Sequence, residues 1–141
     1  MNILHKAITF HSTSHQRFEN GQPVRGLQNC NRAIEIKPNI NGCSGYDIQE
    51  GDGYIVTIFN LDGNHPVWGN NIQMTPKPMR LVKEDEEVLL LQGYPCRAMG
   101  PFGWIDFNGS DYGLTIHTNN NTIKQCTLHM FDRNVAIEYY N

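Results

Sequence analysis

The fold of this chain is decided by residues 112–140, which read YGLTIHTNNNTIKQCTLHMFDRNVAIEYY. Apolar and polar residues alternate through three runs of this stretch, as the two faces of a β-strand require. Asn119–Asn121 and Arg133–Asn134 separate the runs, and asparagine tolerates the positive φ angles of tight turns. The pattern predicts two consecutive hairpins, and therefore a C-terminal three-stranded antiparallel meander.

The apolar residues of the meander set its predicted register. A three-residue loop at Asn119–Asn121 places Leu114 opposite Cys126 and keeps the apolar side chains on one face. A register slip of one residue would turn a whole strand over. The predicted core face consists of Tyr112, Leu114, Ile116, Cys126, Leu128, Met130, Ile137 and Tyr139.

The opposite face of the meander is polar and carries His117, His129 and Glu138. A two-residue turn at Arg133–Asn134 sets His129 across from Glu138, and a neighbouring carboxylate favours the charged imidazole. We therefore expect a raised pKa for His129. Opposite-charge pairs are ordinary stabilisers of sheets, so a solvated sheet face is the first interpretation and a site that transfers protons or contacts a ligand is the second.

Length and composition favour one mainly β domain over residues 1–141. The chain has 13 glycines and several Asn-Gly and Asp-Gly steps, which suit many short strands joined by tight turns. We predict an all-β fold, in which antiparallel hairpins form a partly closed barrel or a small sandwich. Tyr54–Phe59 is apolar on both faces and predicts a central strand.

Residues 79–92 are ambiguous between a helix and a hairpin. Their residues are good helix formers, and Thr75–Pro76 would suit a helix start. The charged run Lys83–Glu87 interrupts any continuous apolar stripe, however, and this favours strands at Met79–Val82 and Val88–Leu91. The alternative is an α+β fold with one helix at 79–92.

Charge and cysteine content limit the classes of partner and compartment. The formal net charge of -3 gives no general attraction to nucleic acid or to an anionic membrane, so we predict neither partner. Residues 1–10 lack the apolar core of a secretory signal, which predicts a cytoplasmic protein. Four scattered cysteines without a C-x-x-C motif predict buried, reduced thiols.

Two groups of possible metal ligands have simpler interpretations. His5, His11 and His15 share strand parity, but a polar surface explains them better than a metal site does. The segment from Asp106 to Asp111 offers several oxygens, yet it lacks the glycine position and the final glutamate of a calcium loop, so a turn is preferred. No metal and no cofactor is predicted.

No motif in the chain identifies a chemistry: phosphate-binding loops, hydrolase elbows and metalloprotease helices are all absent from the sequence. The leading hypothesis is therefore a non-enzymatic binding or assembly module that captures a small ligand or a protein partner and self-associates as a homo-oligomer. Open strand edges and aromatic loops motivate it. The predicted ligand-binding residues are Trp68, Phe102 and Trp104.

The alternative hypothesis is a small hydrolytic or acid-base enzyme. It would use imidazole and carboxylate side chains from separate strands, brought together in one cleft. The candidate catalytic residues are His117, His129, Glu138, Asp106 and Asp111. A concave surface that holds these side chains would sustain the hypothesis, and a flat surface would end it.

Overall fold

A computed structural model describes residues 3–24, 26–61 and 74–141. Within these ranges the chain forms eleven β-strands and two 3-10 helices and has no α-helix. The strands are β1 (Ile8–Glu19), β2 (Gln22–Pro23), β3 (Gln28–Pro38), β4 (Tyr54–Asn60), β5 (Met74–Glu84), β6 (Val88–Gly93), β7 (Cys96–Gly100), β8 (Gly103–Phe107), β9 (Tyr112–Asn119), β10 (Thr122–Met130) and β11 (Val135–Tyr140). The 3-10 helices are Ile3–His5 and Phe131–Arg133.

Eight of the strands close into an antiparallel barrel. The order is β1-β3-β4-β5-β6-β9-β10-β11, and β11 pairs back onto β1. The all-β prediction is confirmed, and the α+β alternative is wrong because residues 79–92 belong to the β5–β6 hairpin. Closure also removes the open edges expected for the main sheet, and β3 pairs on both sides.

The barrel interior is mostly apolar. Side chains alternate between interior and exterior along each strand, as the pleat requires, and the core face predicted for the meander is the inner face. Leu4, on the first 3-10 helix, is fully buried in the same cluster. The other fully buried aliphatic side chains include Ile34, Ile36, Ile58, Leu91, Leu114 and Ile116.

The β9–β10 turn differs from the predicted three-residue loop. Asn120 and Asn121 form a two-residue turn with φ angles of 52° and 61°, the left-handed geometry that suits a twisted hairpin. A bulge between Ile123 and Gln125 then shifts the register and pairs Leu114 with Leu128. The bulge returns the apolar residues to the inner face, so the predicted face is correct although the predicted partners are wrong.

The β10–β11 turn is also longer than predicted. Its four residues, 131–134, contain the second 3-10 helix, and Asn134 has a φ of 54°. This turn pairs His129 with Ala136 and Thr127 with Glu138. The predicted His129–Glu138 cross-strand pair is therefore wrong.

A second bulge changes the parity of β1. The register shifts between Ser12 and Ser14, and His15 consequently points into the barrel with none of its surface exposed, whereas His11 is exposed. The predicted shared polar face of His5, His11 and His15 is wrong. Over the described ranges, no group of three His, Cys, Asp or Glu side chains is arranged to hold a metal ion.

Strands β7 and β8 form a separate hairpin, which we call the arm (residues 96–107). Gly93 and Gly109 pack against each other at its base. The Asp47 amide donates to the Arg97 carbonyl at 2.7 Å, which ties the arm to the loop after β3. Both Phe102 and Trp104 lie on the arm and are exposed.

The four cysteines are free thiols. Cys30 and Cys126 are buried as predicted, but Cys43 and Cys96 are partly exposed. Among the described residues no helix has the length and apolar character needed to cross a membrane.

Candidate functional site: two concave surfaces

One end of the barrel opens into a cavity of about 460 Å³, which we call the mouth cavity. Its inner wall is apolar and comes from inward-facing residues where β5, β9 and β11 begin and β10 ends. This wall consists of Met74, Tyr112, Leu128, Met130 and Ile137. Leu128 and Ile137 also belong to the barrel core, so this wall is continuous with the packed interior.

Aromatic side chains support one side of the mouth cavity. The rings of Phe107 and Tyr112 stack with centroids 5.6 Å apart, and Tyr46 meets Phe107 edge to face at the same distance. The Tyr112 hydroxyl donates to the Pro78 carbonyl at 2.8 Å, and burial raises the pKa of Tyr112, which keeps the phenol neutral.

The rim of the mouth cavity carries both signs of charge. Its charged residues are Lys77, Asp111, Asp132 and Arg133. The Lys77 ammonium donates to the Tyr46 hydroxyl at 3.1 Å, and Arg133 lies 3.9 Å from Asp132 in an exposed ion pair. The entrance of the cavity is therefore charged, whereas its inner wall is apolar.

A small polar cluster lies inside the barrel, which we call the inner cluster: Ser12, His15, Arg32 and Tyr139. Each of these side chains has 1% or less of its surface exposed. Arg32 lies on the same face of β3 as Ile34 and Ile36, which point into the barrel. Tyr139 lies on the same face of β11 as Ile137, which also points inward. Tyr139 is two residues along β11 from the cavity wall at Ile137.

The second concave surface is a groove of about 550 Å³ on the outside of the meander, which we call the outer groove. The β1–β2 turn borders it with Asn20 and Gly21, whose positive φ angles are typical of a tight turn. The groove is lined by Phe18, Asn20, Gly21, Thr115, His117, Thr127, His129, Phe131, Asn134, Val135, Ala136 and Glu138.

His129 is held firmly in the outer groove. Its Nε2 lies 2.9 Å from the Thr115 hydroxyl, and its ring stacks parallel to that of Phe131 at 5.3 Å. Burial lowers the pKa of His129, His117 lowers it further, and Glu138 only partly opposes both. The expectation of a raised pKa is wrong, because desolvation outweighs the diagonal carboxylate.

Glu138 is engaged by neighbours on its own sheet. Its carboxylate accepts hydrogen bonds from Gln125 Nε2 at 2.9 Å and from the Tyr140 hydroxyl at 2.8 Å. Burial and the hydrogen bond from its own hydroxyl to Glu138 raise the pKa of Tyr140 to about 12. The carboxylate is thus a fixed acceptor with two protein donors.

The predicted catalytic residues fall into three places. The outer groove brings His117, His129 and Glu138 together on a concave surface. Asp111 lies on the rim of the mouth cavity, and Asp106 lies in a separate depression beside Arg97. The five residues therefore do not share one cleft.

Two of the three predicted ligand-binding residues, Phe102 and Trp104, line neither concave surface. Phe102 and Trp104 lie on the exposed arm, and Trp68 falls outside the described residues. The calcium-like segment is a turn in which Asn108 accepts hydrogen bonds from the Ser110 amide and hydroxyl at 2.9 and 2.8 Å.

Neither Arg32 nor the mouth cavity is among the sites predicted from the sequence. The signal for Arg32 was present, because a residue two positions before Ile34 on a strand faces the same side. The cavity had no local signal, since its wall combines strands that are distant in the chain. Comparison with protein-family models, with curated proteins and with solved structures found no match for this chain.

Proposed function

We propose that this chain is a non-enzymatic binding module that takes a small amphipathic molecule into the mouth of its barrel. The observation that carries the proposal is the mouth cavity, about 460 Å³ in volume, with an apolar wall and a charged rim. Barrel mouths are frequent ligand sites, and an eight-stranded barrel has room for one small ligand. The apolar part of the ligand would contact Leu128 and Ile137.

The packing of the barrel supports entry from one end only. Apolar side chains, including the fully buried Leu4 on the first 3-10 helix, fill the core away from the mouth. Close-packed interiors leave little space for a ligand. A ligand that enters at the rim would therefore lie in the mouth half of the barrel, against Leu128 and Ile137.

The outer groove supports the alternative enzyme less well. Glu138 already accepts two hydrogen bonds, and His129 is hydrogen-bonded to Thr115 and stacked on Phe131. Acid-base catalysis needs a group that is free to reach the substrate proton. These contacts instead resemble the cross-strand contacts that stabilise a sheet.

Fluorescence titration with the neutral apolar probe phenylnaphthylamine tests the proposal. We expect saturable binding to the wild-type protein and at least tenfold weaker binding to Met130→Trp, because the larger ring fills the mouth cavity. The matched control is Lys124→Trp, which adds the same ring on the exposed side of the same strand. We expect this control to bind as the wild type does.

Two results would contradict the proposal. One is the absence of saturable probe binding to a wild-type protein that has been stripped of co-purified lipid. The other is an equal loss of affinity in Met130→Trp and Lys124→Trp.

A second candidate function is self-association through the arm. Four large apolar side chains on this hairpin are exposed: Met99, Phe102, Trp104 and Ile105. Contiguous exposed apolar residues are typical of protein contact sites, and aromatic residues often dominate the binding energy of such sites. A second copy of the chain offers the same surface in return, as a two-fold dimer requires.

Sedimentation velocity tests self-association. We expect the wild type to sediment as a dimer and the double variant Phe102→Ser/Trp104→Ser to sediment as a monomer. The matched control is Leu27→Ser/Ile40→Ser, which removes two exposed apolar side chains from other loops. A monomeric wild type, or equal dissociation of both double variants, would refute this second function.

A further inference from the structure

Arg32 is a buried cation that lacks a counterion within the described residues. The residue is 1% exposed, and its guanidinium makes no ion pair within those residues. The Nη1 group donates to the Asn60 side-chain oxygen at 2.8 Å and to the Asn31 carbonyl at 3.1 Å. The Nε and Nη2 groups have no hydrogen-bond partner.

These two unpartnered groups form one edge of the guanidinium. Nε and Nη2 point in parallel and present the two-pronged donor that matches the two oxygens of a carboxylate. Nη1, on the other side, is held in place by Asn60. The side chain is therefore fixed in orientation while its recognition edge remains available.

Tyr139 supplies a third donor beside Arg32. Its hydroxyl is buried and has no hydrogen-bond partner in the described parts of the chain. Burial raises the pKa of Tyr139, and the nearby Arg32 guanidinium partly counteracts the rise. The phenol thus stays protonated at neutral pH and can donate to an anion.

A buried guanidinium without a counterion is strongly unfavourable, because its lost hydration is not replaced. A buried phenol without a partner adds to this cost. A bound anion would offset both free-energy costs, because it can accept hydrogen bonds from the guanidinium and from the phenol. Protein interiors rarely keep such groups unless they pair with something.

We propose that Arg32 and Tyr139 bind the carboxylate of the ligand at the inner end of the mouth cavity. The proposal rests on the proposed function, because the mouth cavity is the concave surface whose wall, at Ile137, lies two residues along β11 from Tyr139. The ligand class is then an apolar chain that ends in a carboxylate, with its tail against Leu128 and Ile137 and its head group innermost.

Isothermal titration calorimetry with octanoate and with octanol tests the proposal, because the two differ in the head group and not in the length of the chain. We expect the wild-type protein to bind octanoate at least tenfold more tightly. Arg32→Met should lower the octanoate affinity at least tenfold and leave the octanol affinity unchanged. Tyr139→Phe should lower the octanoate affinity severalfold.

The matched control is Lys77→Met, which removes one positive charge from the rim and leaves Arg32 in place. We expect it to change the octanoate affinity less than threefold. A larger effect of Lys77→Met than of Arg32→Met would place the carboxylate at the rim and overturn the proposal. If Arg32→Met does not fold, Arg32→Lys keeps the charge but loses the two-pronged edge, and an unchanged octanoate affinity in that variant would overturn it too.

The outcomes separate this inference from the proposed function. Equal binding of octanoate and octanol, with both lost in Met130→Trp, keeps the cavity as a ligand site and refutes the carboxylate site. Absence of binding of either molecule to the wild type refutes both.

Discussion

The inner cluster and the outer groove lie on opposite faces of the same barrel wall, and they differ in how their polar groups are paired. In the groove, Glu138 accepts two hydrogen bonds and His129 contacts Thr115. Inside the barrel, Arg32 keeps two donor groups and Tyr139 its hydroxyl without a partner among the described residues. Paired polar groups stabilise a fold, whereas unpaired buried ones destabilise it, so the interior is where a ligand has most to contribute.

The largest expected effect comes from breaking the base of the arm, beside the mouth cavity. Gly109 has a φ of +78°, and an added Cβ would overlap the Gly93 carbonyl. We expect Gly109→Ala to lower the free energy of unfolding by about 3 kcal/mol or more in urea titrations. Gly45→Ala is the control, because its φ is +86° with open space around it, and it should cost about 1 kcal/mol. Equal losses would mean that the close approach of Gly93 and Gly109 is not structurally important.

Replacing Arg32 by an apolar residue tests directly whether the buried charge destabilises the ligand-free protein. We expect Arg32→Met to raise the free energy of unfolding of the ligand-free protein by about 1–3 kcal/mol, because a desolvated charge is replaced by an apolar side chain. The exposed Arg80→Met control should stay within about 0.5 kcal/mol of the wild type. Destabilisation by Arg32→Met would show that the guanidinium is already compensated and that the interior does not await an anion.

Two adjacent tyrosines, one on each face of β11, test the same difference. Tyr140→Phe removes the hydrogen bond to Glu138 and should lower the free energy of unfolding by about 1 kcal/mol. Tyr139→Phe removes a hydroxyl without a partner in the described structure and should leave the stability of the ligand-free protein unchanged or slightly higher. Urea titrations of both variants measure the contrast, and an inverted order would refute the assignment of paired and unpaired faces.

Much of the strand pattern could be predicted from the sequence, because alternation is a local property. The inner face of the meander and the β5–β6 hairpin follow from it. The pairing partners could not be predicted, since the bulges near Ser12 and Lys124 each shift the register by one residue without a distinctive local signal. The same bulge in β1 placed His15 inside, against the expectation of a polar surface.

The sites were less predictable than the fold for a different reason. The groove residues His117, His129 and Glu138 belong to neighbouring strands, so short-range pairing already brings them close together. The mouth cavity joins Met74, at the start of β5, to Ile137 on β11, and only barrel closure makes these residues neighbours. The hydrogen-bond partners of Arg32 also depend on packing between distant parts of the chain, so its donor groups without a partner in the described ranges could not be predicted from the sequence.

The smallest expected effect concerns His129 in the outer groove. Its pKa in the folded protein lies below the ordinary value of 6.5, chiefly through burial and secondarily through His117, with Glu138 opposing. The unfolded chain therefore binds this proton more tightly, so the stabilising contribution is complete above about pH 6.5 and is lost as the pH falls through the folded pKa.

The variant His129→Gln keeps a polar partner for Thr115. Between about pH 7.5 and about pH 5 we expect its free energy of unfolding to fall less than that of the wild type, by a difference of under about 1 kcal/mol. Urea titrations of the variant and the wild type at both pH values measure the difference. A carboxylate-paired imidazole would behave in the opposite way, with the wild type gaining stability relative to the variant on acidification. That result would mean that Glu138, rather than burial, determines the pKa of His129. The outer groove would then contain a charged pair, and the contrast with the buried charge of Arg32 in the interior would be weaker.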